Sequence, residues 1–87
     1  MKIKDGFVLR EVAGSFIVVA VGEAVKNFNG IINLNETGAF LWKILESGGT
    51  KEELVAKLCE EYEVDETTAA TDVDKFVQNL SEAGLVK

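Results

Sequence analysis

The sequence contains no histidine, no proline and one cysteine, and its nine bases are outnumbered by fifteen acids. Without histidine, the side chain that most often serves as a general base near neutral pH is missing. Cys59 therefore has no imidazole to activate it as a nucleophile. One cysteine cannot form an internal disulfide, and a secreted domain this small would usually need several, so the expected compartment is the reducing cytoplasm. The formal net charge of −6, with the bases scattered, has the wrong sign for a phosphate backbone or an anionic membrane. A basic or neutral polypeptide is the better-matched partner. The longest apolar run, Phe16 to Val21, is too short to span a bilayer. Met1–Gly6 lacks the apolar run and small-residue cleavage site of a signal peptide.

What is present is globular. Hydrophobic residues make up 47% and charged residues 28% of the chain, enough apolar material for one core, and residues 1–87 are expected to form one domain. Residues 7–12 and 15–21 are rich in β-branched and aromatic side chains. They are separated by Ala13-Gly14-Ser15, where Gly14 can take the positive φ of a hairpin turn, so two antiparallel strands are expected. Residues 22–29 read as a loop, or as part of a second hairpin turning at Asn29-Gly30. Gly30-Ile31-Ile32-Asn33-Leu34 then reads as a third short strand.

At this point the apolar period changes from 2 to 3.6. Ala39, Phe40, Leu41, Trp42, Ile44 and Leu45 crowd one face of a helix over 36–46, which Asn35 can cap and Gly48-Gly49 ends. Thr50-Lys51-Glu52-Glu53 is a capping box that opens a second helix, with Leu54, Val55, Leu58, Cys59 and Tyr62 in its apolar stripe. A third helix is expected from about Glu66 to Ala83, turning Val73, Phe76, Val77 and Leu80 inward. Gly84 is its C′ residue, and Leu85 packs back. The fold class is α+β, a three-stranded antiparallel sheet followed by three helices (βββααα), with the last two helices arranged like a helix-turn-helix pair.

No catalytic group stands out. Cys59 lies in an apolar stripe, where an inert core thiol is the plain reading. Glu60, Glu61, Glu63, Asp65 and Glu66 lack the alternation and central glycine of a calcium loop, and no metal is expected. Gly48-Gly49-Thr50 lacks the spacing and lysine of a phosphate-binding loop. Between residues 66 and 84 the third helix carries four acids against Lys75 alone, so it would be repelled from a DNA groove. Ser15, Ser47 and Ser81 do not sit in the Asp-Ser-Leu context that takes a carrier protein's prosthetic arm.

Two features point toward a polypeptide partner. A short third strand leaves one sheet edge unpaired, and such an edge is either protected or used to recruit a further strand. The run Phe16–Val21 is apolar on both alternating faces, which calls for a partner, a second copy of the chain, or cover from residues 22–29.

Leu34-Asn35-Glu36-Thr37-Gly38-Ala39 followed by Leu41-Trp42 resembles the signature of the PqqD-like family. That family includes pyrroloquinoline quinone biosynthesis protein D and the precursor-peptide recognition elements of ribosomally made, modified peptides (RiPPs). The resemblance continues through Gly49–Leu54, Glu61-Tyr62-Glu63-Val64, Asp72-Val73-Asp74-Lys75-Phe76, Leu80 and Gly84-Leu85, and covers about residues 6–87. It implies a winged-helix-like fold and a non-catalytic role without a cofactor. Such a domain binds the leader segment of a precursor peptide and presents it to a modifying enzyme, often a radical S-adenosylmethionine protein. It further implies that the leader adds as a strand to the third strand, in the groove against the third helix. Carried onto this chain, the edge is Ile31, Ile32, Asn33 and Leu34. The helical wall comes from Val73, Asp74, Val77 and Gln78, with some of these filling the core instead. The alternative is a homo-oligomeric structural or regulatory domain that pairs through its second strand.

Overall fold

A computed structural model describes residues 1–26, 28 and 30–87. Strands β1 (Phe7–Val12), β2 (Ser15–Ala20) and β3 (Ile32–Leu34) precede helices α1 (Glu36–Ser47), α2 (Lys51–Tyr62) and α3 (Glu66–Glu82). The sheet is antiparallel in the order β1-β2-β3, so the βββααα arrangement expected from the sequence is present. At 39 × 29 × 19 Å the molecule is two layers thick, one of sheet and one of helices.

The first hairpin is tighter than its sequence suggests. Val12 pairs directly with Ser15, which leaves a two-residue turn of Ala13 and Gly14 with φ of 51° and 81°. Two consecutive positive φ values match the right-handed twist of the flanking strands, as in a type I′ turn. Gly14 accepts that geometry freely, whereas Ala13 holds it against its own Cβ.

The register decides which side chains enter the core. Leu9, Val18 and Ile32 lie abreast, as do Glu11, Phe16 and Leu34. Val18 is fully buried, and Leu9, Ile32 and Leu34 pack against the helices. Because side chains alternate, Val8, Ile17 and Val19 face away from the helices, with Arg10 and Asn33 beside Ile17 in the ladder.

Residues 22–26 form a 3-10 turn. The proposed turn at Asn29-Gly30 involves Asn29, which lies outside the described residues. Phe28 meets Phe7 edge-on at 5.3 Å between ring centroids. Since Phe7 packs on the core, this contact lies on the helix side of the sheet, and Phe28 does not cover the outer face around Ile17. The third strand is also shorter than expected: Ile31 precedes it and is 60% exposed.

All three helices begin at capping side chains. Asn35 accepts from Gly38 N–H at 2.7 Å. Thr50 and Glu53 exchange both bonds of a capping box, at 3.0 and 3.1 Å. Asp65 accepts from Thr68 N–H at 2.8 Å, a cap that the surrounding run of acids disguises in the sequence. These bonds satisfy helix donors that would otherwise lack partners. Between the layers lie Trp42, Leu41, Leu45, Leu54, Leu58, Val73, Leu80 and Leu85, all fully buried. Cys59 is not among them. It is half-buried at the rim of the core, which corrects its reading as a core thiol.

The two ends of the chain clasp each other. Ile3 forms an antiparallel bridge with Val86. Lys4 N–H donates to Leu85 O, and Lys87 N–H donates to Lys2 O, both at 2.8 Å. Met1 and Gly49 exchange two bonds of 2.9 Å, the terminal ammonium donating to Gly49 O and Gly49 N–H donating to Met1 O. Ile3 is thereby drawn into the core, at 6% exposure.

Candidate peptide-binding edge

Among the described residues, β3 pairs only with β2. Its other edge opens on a groove of about 290 Å³ between β3 and α3. Leu34, Leu41 and Phe76 supply the apolar part of its lining; Asn79, Asp72 and Lys75 supply polar groups, and Asn33 borders it at the strand edge. The Asn35 side chain also borders it but is already committed to the α1 cap. One acid and one base offset each other, so the rim is close to neutral, and the Asn79 amide can both donate and accept. A second depression, of about 370 Å³, shares Asn33, Leu34 and Asn35 with the first and reaches Gly14, Ser15 and Phe16 at the hairpin end. The trough therefore runs from α3 past the end of β3 to the β1–β2 turn.

The expected site residues divide. Asn33 and Leu34 line the groove. Ile32 is half-buried against the core, and Ile31 lies just outside the strand. Of the helical wall, Val73 is fully buried and Val77 is 7% exposed; both are core. Asp74 points to the opposite flank of α3, where the Lys51 ammonium reaches it at 3.4 Å. The Gln78 amide donates to Glu82 at 3.2 Å along the helix surface.

The face of α3 turned to β3 instead presents Asp72, Lys75, Phe76 and Asn79. Their spacing of i, i+3, i+4 and i+7 defines a single helical stripe. Phe76, at 8% exposure, belongs to both the core and the groove floor. The signal available in the sequence was the polar stripe flanking the apolar one. Which of its two flanks meets β3 depends on how the helix is rotated in the packed structure.

The displaced pKa values lie outside the groove lining. Burial, then Glu36 and Glu61, raises the Tyr62 hydroxyl above its ordinary value. The bonds from Thr68 lower the Asp65 carboxyl. Among the described residues, no group of three or more His, Cys, Asp or Glu is arranged to hold a metal ion. Among them, too, no helix is long and apolar enough to cross a membrane.

Two solved structures share this architecture. "TbiB1 in complex with the TbiA(beta) leader peptide" is 28% identical with a TM-score of 0.78, over 100% of this chain and 95% of that one. "Lasso peptide synthetase B1 complexed with the leader peptide" is 22% identical with a TM-score of 0.76, over 99% and 95%; at that identity it speaks for the fold alone. No curated protein matches the chain. The model of the family described as coenzyme PQQ synthesis protein D (PqqD) matches residues 8–86, and on that match, over nearly the whole chain, the protein belongs to the PqqD family.

Proposed function

We propose that this protein is a non-catalytic binding module. It takes up the leader segment of a ribosomally made precursor peptide as a fourth strand beside β3 and presents it to a modifying enzyme. The observation that carries this reading is the β3 edge, unpaired among the described residues and walled by α3 around a groove with an apolar floor and a near-neutral polar rim. An extended peptide can pair its backbone with such an edge while alternate side chains enter the groove. Membership of the PqqD family and likeness to TbiB1, a protein solved with a leader peptide, support the same assignment. The modifying enzyme is of the radical S-adenosylmethionine class or another peptide-maturing class.

Titration of the isotope-labelled protein with a synthetic leader of its precursor peptide tests the reading. Amide shifts are expected at Asn33, Leu34, Lys75 and Asn79. N-methylation of outward-pairing leader amides should weaken binding about tenfold or more per blocked bond, because a donor is lost and a methyl group forces the strands apart. Shifts that spare residues 31–34 and α3 would place the peptide elsewhere.

A second reading is favoured by one observation. Val8, Ile17 and Val19 form an apolar patch on the sheet face without helices, beside Val12 and Val21, which are 54% and 39% exposed. This is the surface a self-associating domain would use. Sedimentation as a monomer at millimolar concentration removes that reading.

A further inference from the structure

The charge of this chain is unevenly placed. Residues 51–74 hold nine of the fifteen acids and two of the nine bases. The remainder has seven bases against six acids, so the whole net charge resides on α2 and the first half of α3. Within this acidic region, on the flank of α3 away from the β3 groove, lies a second groove of about 540 Å³. Val55, Ala56, Cys59 and Ala70 form its apolar lining, bordered by Glu52, Glu66 and Asp74. Lys51 is the one base in the lining, and its pair with Asp74 is exposed on both sides, so it is held weakly and can be exchanged.

The dimensions are those of a helix bed. From Glu52 to Cys59 along α2, and from Glu66 to Asp74 along α3, the lining residues span roughly 10–12 Å at 1.5 Å per residue. That matches two turns of a docked helix with apolar anchors at i, i+3 or i+4, and i+7. We infer that the α2–α3 groove is a docking surface for a basic amphipathic helix of a second polypeptide, separate from the β3 edge. Its apolar stripe would lie on Val55, Ala56, Cys59 and Ala70, and its lysines or arginines would meet Glu52, Glu66 and Asp74.

Charge selects this occupant over the others. A second copy of this chain offers no basic helix and would bring like charge to like. The β3 groove, with one acid and one base on its rim, has no such preference for cations. The two grooves thus differ in the chemistry they accept, and both can be filled at once.

Cys59 supplies an internal reporter, being the only cysteine, half-buried and in the groove lining. The probe is a 14-residue helical peptide with a leucine stripe and lysines on its flanks, compared with the same peptide carrying glutamates. With the full chain, the lysine peptide is expected to slow maleimide labelling of Cys59 and to shift the amides of Val55, Ala56, Cys59 and Ala70. The glutamate peptide should do neither. The double variant Glu66→Lys/Asp74→Lys should weaken the lysine peptide roughly fivefold to tenfold, the equivalent of two exposed charge pairs. Ala56→Arg, at an exposed position that the fold does not need, should block the groove while circular dichroism stays unchanged. Equal binding of the two peptides overturns the inference, as do unchanged Cys59 labelling, shifts at Asn33 and Leu34, or shifts scattered over every acidic surface.

Discussion

Gly38 N–H donates to the side-chain oxygen of Asn35 at 2.7 Å, and a Cβ on Gly38 would stand only 3.2 Å from that oxygen and 3.3 Å from Leu34 Cβ. The last residue of β3, the cap of α1 and the first turn of that helix are therefore packed as one unit. Asn35→Ala removes the cap and should cost about 1 kcal/mol, or roughly 4–8 °C in Tm for a domain of this size. Asn35→Asp keeps an accepting oxygen and should cost much less. Thermal unfolding followed by circular dichroism separates the two.

The hairpin turn holds Ala13 at φ 51°, a conformation that asparagine tolerates better. Ala13→Asn creates the favoured Asn-Gly pair of a type I′ turn and should stabilise the protein by about 0.5–1 kcal/mol. A rise in the urea midpoint at unchanged m-value is the expected outcome.

Around the β3 edge, Lys75→Ala and Asn79→Ala should each weaken leader-peptide binding roughly twofold to tenfold, the worth of one hydrogen bond, with little change in Tm. Asp74→Ala and Gln78→Ala, whose side chains lie away from the groove, should leave affinity unchanged. Calorimetric titration of all four variants distinguishes the observed wall from the one first expected from the sequence.

The Asp65 cap makes stability fall with acid. Its folded-state pKa is depressed below the ordinary 3.8 by the bonds from Thr68. The contribution is therefore present above the unfolded value and is lost as pH falls through the folded one. Asp65→Asn retains a capping oxygen without the charge. In that variant, the loss of stability between about pH 5 and pH 2 should be shallower, as read from urea midpoints.

Ile3→Ala tests the clasp of the chain ends. Ile3 is nearly buried and bridges Val86, so the truncation should cost about 2–4 kcal/mol. Hydrogen exchange at the Lys87 amide, which donates to Lys2 O, should accelerate more than exchange within α2.

Helix starts were legible because their caps are local: Asn35, Thr50 and Glu53 act within three residues of themselves. The capping role of Asp65 was obscured by its acidic neighbours, since any of several carboxylates could have served. The wall of the β3 groove was not legible. Apolar periodicity identifies Val73 and Val77 as the side chains a core would take, but it does not say how α3 is rotated relative to β3. Asp72 and Asn79 are set there by packing across the whole helical layer. The positive φ of Ala13 was hidden for a different reason, because alanine does not announce a left-handed turn. The clasp of the two ends escaped because it joins Ile3 to Val86, the full length of the chain apart, with no local pattern to mark it.

That clasp has a geometric consequence for protein architecture. Since residues 3 and 86 are antiparallel neighbours, the polypeptide enters and leaves the fold at one place, about one strand spacing (roughly 5 Å) apart. A host protein could open a surface loop by little more than that width and carry this module as an insert. Its own backbone would be scarcely displaced, and the β3 edge would remain free to recruit a strand.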